Sequence, residues 1–281
     1  MLRSAATVAT ELTCRAVGRG RVIRASSFVL RCARLDVRNE LRTNGESMLQ
    51  KWVLSLSAPG CKISVIDIGA NLGRWSTAMV EAADADGRSA DLDLHAFEPS
   101  AYTFSEFETA LAGTGVKAHQ KALGDKEETC LLHTTKPGAG SHSLHDRPGR
   151  PLATGAEEIS ITTLDSYVME SSIGHLALVK VDTEGHDLAV LRGASGLLAS
   201  RRISVVQFEY NHRWVFSRSF LSDAFELLEP HGYRIGKLTP KGVEFYPHWD
   251  AELENFIEGN YVACLASVAE HLPSVTWWKS Q

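Results

Sequence analysis

Two short segments carry residues whose types and spacing suit the binding of a nucleoside. In Val65-Ile66-Asp67-Ile68-Gly69-Ala70-Asn71-Leu72-Gly73 an apolar run ends in an acid and is followed by two glycines. This is the pattern of a strand that turns sharply into a helix and lets a ligand approach the N–H groups of the turn. The spacing departs from G-x-G-x-x-G, because Asn71 stands at the middle position, so a pyrophosphate-gripping turn is a poor match. Asp67 is placed instead to meet a cationic amine. Phe97-Glu98-Pro99-Ser100 ends a second apolar run in a carboxylate, which at the edge of a sheet can accept both hydroxyls of a ribose. Pro99 fixes the chain leaving it. Taken singly, the glycines could be a plain connection and Glu98 a helix-start acid; the pair of motifs together favours a nucleoside.

A third segment could act on a second substrate. Val181-Asp182-Thr183-Glu184-Gly185-His186-Asp187 brings two carboxylates to the end of another apolar run, with His186 and Asp187 at a helix start. Such groups can position a hydroxyl and take up its proton during group transfer. The order of candidates for the base is Asp182, His186, Glu209, with Glu184 mainly orienting. The structural alternative is that Asp182 caps the helix and Glu184 complements its dipole. Glu209, in Gln207-Phe208-Glu209-Tyr210-Asn211-His212, is expected at the same edge. With Asp182 and His212 it could hold substrate or a magnesium or calcium ion; contact with substrate or water is expected, and no metal.

These residues need a sheet to carry them. From Lys62 onward short apolar runs alternate with helical patterns, the signature of a parallel sheet with helices on both faces. Strands are predicted at 63–68, 92–97, 116–121, 176–181, 203–209, 233–237 and 261–265. Helices are predicted from Leu72 to Ala83, from a Ser100 cap through Leu111 with Phe104 and Phe107 inward, from about Asp187 to Leu198, and from Phe220 to Pro230. Thr129–Thr134 and Glu158–Thr163 read as an extra pair of strands. The stretch from Lys136 to Gly155 between them, with Ser141, His142, Ser143 and His145, is expected to be a flexible lid.

Across roughly residues 45–265 the chain resembles the FkbM-type family of S-adenosylmethionine-dependent methyltransferases. The resemblance rests on the first two motifs, on Lys121-Ala122-Leu123-Gly124-Asp125, on Thr162-Thr163-Leu164-Asp165, and above all on the run from Val179 to Ala194. It implies a Rossmann-like α/β fold of the class I methyltransferase kind, with a mostly parallel seven-stranded sheet, a late antiparallel strand and an inserted hairpin or lid. It further implies S-adenosylmethionine as cofactor, with Asp67, Gly69, Ala70, Asn71 and Gly73 on its methionine side, Glu98 and Pro99 at its ribose, and Ala122 with Leu123 at its adenine. The family implies O-methylation of a hydroxyl on a sugar, glycoside, polyketide or similar small molecule. The competing readings are a nucleotide-cofactor oxidoreductase on a related sheet and a non-catalytic cofactor-binding protein.

Bulk properties narrow the partners. The 281 residues, 44% hydrophobic, suffice for one large core, and a net charge of −5 with pI near 6.1 disfavours nucleic acid. Five scattered cysteines, Cys14, Cys32, Cys61, Cys130 and Cys264, form no C-x-x-C pair and suit a reducing, cytoplasmic setting. No run is long enough to span a membrane. Residues 1–38 differ from the rest, with eight arginines against Glu11 and Asp36. An arm over 1–44 is expected, helical because Val22, Phe28, Val29, Cys32 and Leu35 recur at near-helical spacing, with organelle targeting as the alternative. A catalytic domain over 45–270 and a tail over 271–281 complete the division.

Overall fold

The computed structural model describes residues 2–134, 144 and 155–281, with side chains from residue 5. In chain order the elements are α1 (Leu2–Val17), α2 (Arg19–Ala33), α3 (Glu46–Leu56), β1 (Ile63–Ile68), α4 (Arg74–Ala85), β2 (Leu92–Phe97), α5 (Ala101–Ala110), β3 (Lys117–His119), β4 (Ala122–Leu123), β5 (Glu128–Thr134) and β6 (Gly155–Thr162). They continue as α6 (Leu164–Glu170), β7 (Leu176–Val181), α7 (Asp187–Arg192), α8 (Ser195–Ala199), β8 (Ile203–Tyr210), α9 (Leu221–Leu228), β9 (Tyr233–Thr239), β10 (Gly242–Phe245), β11 (Gly259–Leu265), α10 (Ala266–Ala269) and β12 (Ser274–Val275). Apart from Leu144 and Gly155, the expected lid, including Ser141, His142, Ser143 and His145, lies outside the described residues.

The main sheet runs β12-β10-β9-β11-β8-β7-β1-β2-β3. β3, β2, β1, β7 and β8 are mutually parallel, while β11 is antiparallel to both β8 and β9. The expected seven strands with a late antiparallel member therefore run from β9 to the β3 edge. Two edge strands extend it to nine: β10 folds back on β9 as a hairpin and β12 pairs parallel to β10. Sequence reading treats the chain around Pro240 as a connection because β10 is only four residues long and follows a proline.

Every residue of β1 is buried, as a strand with helices on both faces requires. Its side chains alternate between two cores. Ile66 and Ile68 pack with Val179, Val181, Leu188 and Val206. Ile63 and Val65 pack with Leu49, Val53, Met79 and Leu178 on the α3 and α4 side. Truncating one of these large apolar side chains to alanine would cost about 2–5 kcal/mol, from lost burial plus the cavity left behind.

β4, β6 and β5 form a separate three-stranded sheet. The predicted hairpin is present as β5 and β6, and Ala122–Leu123 joins it by pairing parallel with Ile161–Thr162. The helix expected over 187–198 is two helices. It breaks at Gly193, where a Cβ would lie 1.9 Å from the Gly124 carbonyl oxygen, and the Asp165 carboxylate accepts the N–H groups of Gly196 and Leu197 at 2.7 and 2.9 Å to start the second helix. Ser100 stands at the N-cap of α5 without the side-chain bond expected of it.

The N-terminal segment divides. α2 buries no residue, whereas residues 34–44, grouped with the arm on sequence, are fastened to the body. Arg34 pairs with Glu252 at 3.5 Å, Lys237 pairs with Asp36, and Asn39 donates to Glu209 at 2.8 Å.

Candidate active site

Three parallel strands place a polar row across the otherwise apolar sheet. In register, Asp67 of β1 stands beside Lys180 of β7, and Lys180 beside Gln207 of β8. All three point to the α3 and α4 side by the alternation that buries Val65, Leu178 and Val205 there. Lys180 lies in the middle, its Nζ 3.3 Å from Asp67 Oδ1 and 3.3 Å from Asp182 Oδ2. Glu46, at the start of α3, closes the group from above, held by Asn44 at 3.0 Å and by Gln207. Burial would discharge a lysine, but Asp67, Asp182 and Glu46 more than offset it, so Lys180 is held above its ordinary range. Burial raises Glu46 against the opposing pull of Lys180.

Asp67 is fully buried and accepts the Ser76 hydroxyl at 2.7 Å while pairing with Lys180. Asp67, expected at a ligand amine, braces Lys180 beneath the turn and lines neither of the cavities described below. Gly73, expected on the cofactor's methionine side, has φ 75°, and a Cβ there would meet Phe107 at 2.9 Å, so the packing of α4 on α5 requires a glycine. Gly69 has the tighter constraint, with φ 80° and a Cβ position 1.9 Å from the Asp182 carbonyl oxygen. The β1 turn thus lies directly against the end of β7.

The turn and the second strand are joined by Glu98. Asn71 adopts φ 50°, a left-handed conformation that asparagine tolerates, and its N–H donates to Glu98 Oε2 at 3.0 Å. Ser100 N–H donates to Oε1 at 3.0 Å. Two backbone donors leave the carboxylate with acceptor capacity for hydroxyl groups. Burial outweighs these bonds and pushes Glu98 up to about 7.

A cavity of about 110 Å³ opens beside Glu98. Its walls hold Gly69, Asn71, Pro99, Ala122, Leu123, Asp182, Glu184 and His186 from the sequence-predicted set. Ile68, Leu132, Leu144 and Ile159 add an apolar side suited to a flat base. A second cavity, about 720 Å³, lies on the α3 and α4 side. Its lining includes Ala70, Asn39, Arg42, Glu46, Trp75 and Lys180, and it shares Gly69, Asn71 and Asp182 with the first. Ala70, grouped with the nucleoside turn on sequence, borders only this larger space.

The end of β7 separates the candidate bases. Asp182 borders both cavities. His186 lines the smaller one and occupies the cap position of α7, so Asp182 is not that helix's cap. Glu184, at φ 59°, pairs with Arg213 instead of complementing the helix dipole. Asp187 clamps the loop by accepting Thr183 and Gly185 N–H, each at 3.1 Å, and burial pushes it up to about 7. Glu209 lies behind Arg213, bonded to Asn39 and Asn211, and borders neither cavity. Burial, followed by the charges of Asp182, Asp187 and Glu184, raises it well above the carboxylate range. Glu209, expected at the substrate, is engaged by Asn39, Asn211 and Arg213.

Sequence reading missed Lys180, Glu46, Asn39, Arg42 and Trp75. A lysine inside Leu176-Ala177-Leu178-Val179-Lys180-Val181 was a usable signal, since lysine is almost never buried without a partner. Glu46 and Asn39 gave none, because their neighbours come from distant strands. Among the described residues no group of three or more His, Cys, Asp or Glu side chains is arranged to hold a metal ion, and no helix is long and apolar enough to cross a membrane.

The methyltransferase FkbM domain family matches residues 67–235, well over half of the chain. Curated protein sequences give no match. Solved structures resembling the chain include precorrin-6y C5,15-methyltransferase from Geobacter metallireducens GS-15, 12% identical over 78% of this chain and 87% of that one, with TM-score 0.39. The DszA carbon methyltransferase is 11% identical over 75% and 49%, with TM-score 0.41. A SAM-dependent methyltransferase from Agrobacterium tumefaciens is 8% identical over 77% and 60%, with TM-score 0.39. The chain belongs to the FkbM methyltransferase family. Its fold is the Rossmann-like methyltransferase fold and its methyl donor is S-adenosylmethionine.

Proposed function

We propose that this FkbM-family methyltransferase transfers the methyl group to a hydroxyl oxygen of a small molecule, with the donor's nucleoside in the smaller cavity and the acceptor in the larger. The position of Asp182 carries this reading: with Gly69 and Asn71 it forms the wall common to both spaces. The residues of the smaller cavity fit the donor. Glu98 offers acceptor oxygens for ribose hydroxyls, Ala122, Leu123 and Ile159 offer an apolar slot, and Gly69 leaves no side chain in the way.

S-adenosylmethionine supplies an electrophilic methyl on a sulfonium, and displacement there requires the acceptor oxygen in line and close. The larger cavity orients that oxygen. Its Asn39, Glu40, Arg42, Thr77 and Glu81, beside Trp75, suit an acceptor rich in hydroxyls, such as a sugar or glycoside, better than a bare polyketide chain. Asp182 accepts the hydroxyl proton, and Lys180 holds that carboxylate in place at 3.3 Å. Glu46, whose charge also acts on Lys180, is a further carboxylate facing the same space, beside Glu40 and Glu81. His186 and Glu209 are less suited, the first facing the smaller cavity and the second facing neither.

Incubation with donor carrying a labelled methyl, against a panel of sugars, glycosides and polyketide alcohols, tests this reading by mass spectrometry. Label on an acceptor oxygen, lost in Asp182→Asn, is the expected result. Label on carbon or nitrogen would overturn the hydroxyl assignment, and calorimetry showing no donor binding would overturn the cavity assignment.

A further inference from the structure

The two N-terminal helices stand apart from the methyl-transfer site and carry an unusual surface. In α1, Ala5, Val8, Ala9, Leu12 and Ala16 recur at the spacing of one helix face. In α2, Val22, Ile23, Val29 and Leu30 form a second stripe, with Arg24 and Arg31 on the far side. Neither stripe is covered: Leu12 is 60%, Ile23 53% and Val29 64% exposed. Soluble chains seldom leave so much apolar helix surface in water.

The charge is equally one-sided. Residues 1–38 carry +6, against −5 for the whole chain, so the other residues together carry −11. Among the described residues, Arg15, Arg19, Arg24 and Arg31 have no carboxylate partner.

We propose that α1 and α2 form an interfacial anchor that lies on an anionic lipid surface, its apolar stripes among the acyl chains near the headgroups and its arginines on lipid phosphates. Apolar stripes combined with an arginine-rich polar side, in helices that cannot span, are the physical requirements of such an anchor. Guanidinium groups bind phosphate oxygens in pairs. Stacking two arms together is opposed by their like charge. A second copy's body is acidic enough to attract the arm, but its exposed large apolar residues, such as Leu56, Met169, Val215 and Trp249, sit on separate elements and offer no continuous stripe to match. The root of the arm is fixed, through Arg34 to Glu252 and Asp36 to Lys237, so docking of the helices holds the body at the surface.

Sedimentation of the full chain with vesicles tests the anchor. The expected result is association with phosphatidylcholine vesicles containing about 30% phosphatidylserine, little with pure phosphatidylcholine, and release as salt is raised. Replacing two arginines, Arg24→Gln with Arg31→Gln, should weaken partitioning at least about tenfold. Ile23→Ser with Val29→Ser should weaken it comparably at low salt, since the apolar contribution is lost. Both double variants alter exposed positions, so donor binding and helix content should stay unchanged. Absence of association with either vesicle, or partitioning unaffected by both double variants, would overturn the proposal. So would self-association abolished by Ile23→Ser with Val29→Ser in a chain that ignores vesicles.

Discussion

The ammonium of Lys180 lies 3.3 Å from the carboxylate of Asp182, and it is buried between that residue and Asp67. One cation thus neutralises part of a cluster that also includes Glu46, whose charge acts on it too. Lys180→Met should therefore cost about 3–5 kcal/mol, because it strands buried carboxylates without a counter-charge. Urea unfolding measures this. If Asp67→Asn added to Lys180→Met restores nothing, the destabilisation has a different origin.

Asp182→Asn keeps the shape of the side chain but cannot accept a proton. It is expected to retain donor binding and lower turnover about a hundredfold or more, the usual scale for a lost general base. Glu46→Gln and His186→Gln should each cost less. Near-normal turnover in Asp182→Asn with loss in Glu46→Gln would move the base to Glu46 in the larger cavity. Turnover abolished by His186→Gln alone would place the acceptor in the smaller one.

Glu98 sets a pH dependence. Its folded value is about 7, raised from an ordinary 4.5, so between those values the folded chain binds more protons than the unfolded one. Its contribution to stability is full below the unfolded value and falls as pH rises towards 7. Hydroxyl donors prefer the charged carboxylate, so affinity for S-adenosylmethionine should rise about tenfold from pH 6 to pH 8, with proton release on binding. Calorimetry in buffers of different ionisation enthalpy reads both effects. Glu98→Gln should flatten the dependence; a slope that survives it belongs to another group.

Gly69 and Gly87 separate two costs of adding a methyl group. Both have positive φ, but a Cβ on Gly87 meets nothing within 4 Å, whereas one on Gly69 overlaps the Asp182 carbonyl. Gly87→Ala should cost about 1–2 kcal/mol, the strain of a left-handed alanine. Gly69→Ala should cost clearly more and weaken donor binding. Equal shifts in thermal unfolding would mean that β1 and β7 can separate there freely.

Truncation maps where the arm ends. Removing residues 1–33 should leave stability and donor affinity intact, since α2 buries nothing. Removing 1–44 also deletes Asp36, Asn39 and Asn44, and with them bonds to Lys237, Glu209 and Glu46. It should cost at least about 2 kcal/mol, because hydrogen bonds to charged groups are among the stronger ones. Identical denaturation curves for the two truncations would show that those bonds contribute nothing.

What the sequence alone determined is local. A strand ending in Asp67 and Gly69, a turn through Asn71 and a second strand ending in Glu98 are set by neighbours in the chain, through apolar patterning and the conformations that glycine and asparagine allow. The recurring strand and helix patterns likewise fixed the parallel sheet, and the motif from Val179 to Ala194 pointed to the family. The tertiary structure decided which way the polar groups face and what answers them. Asp67 and Glu209 look like ligand contacts along the chain, yet register across β1, β7 and β8 turns the first onto Lys180, and the packing of Asn39 and Arg213 covers the second. Glu46 joins Lys180 and Gln207 from more than a hundred residues away. The same placement divides the space at the sheet edge into two cavities with Asp182 between them. Burial and pairing depend on which distant side chains meet, and no spacing within one segment encodes that.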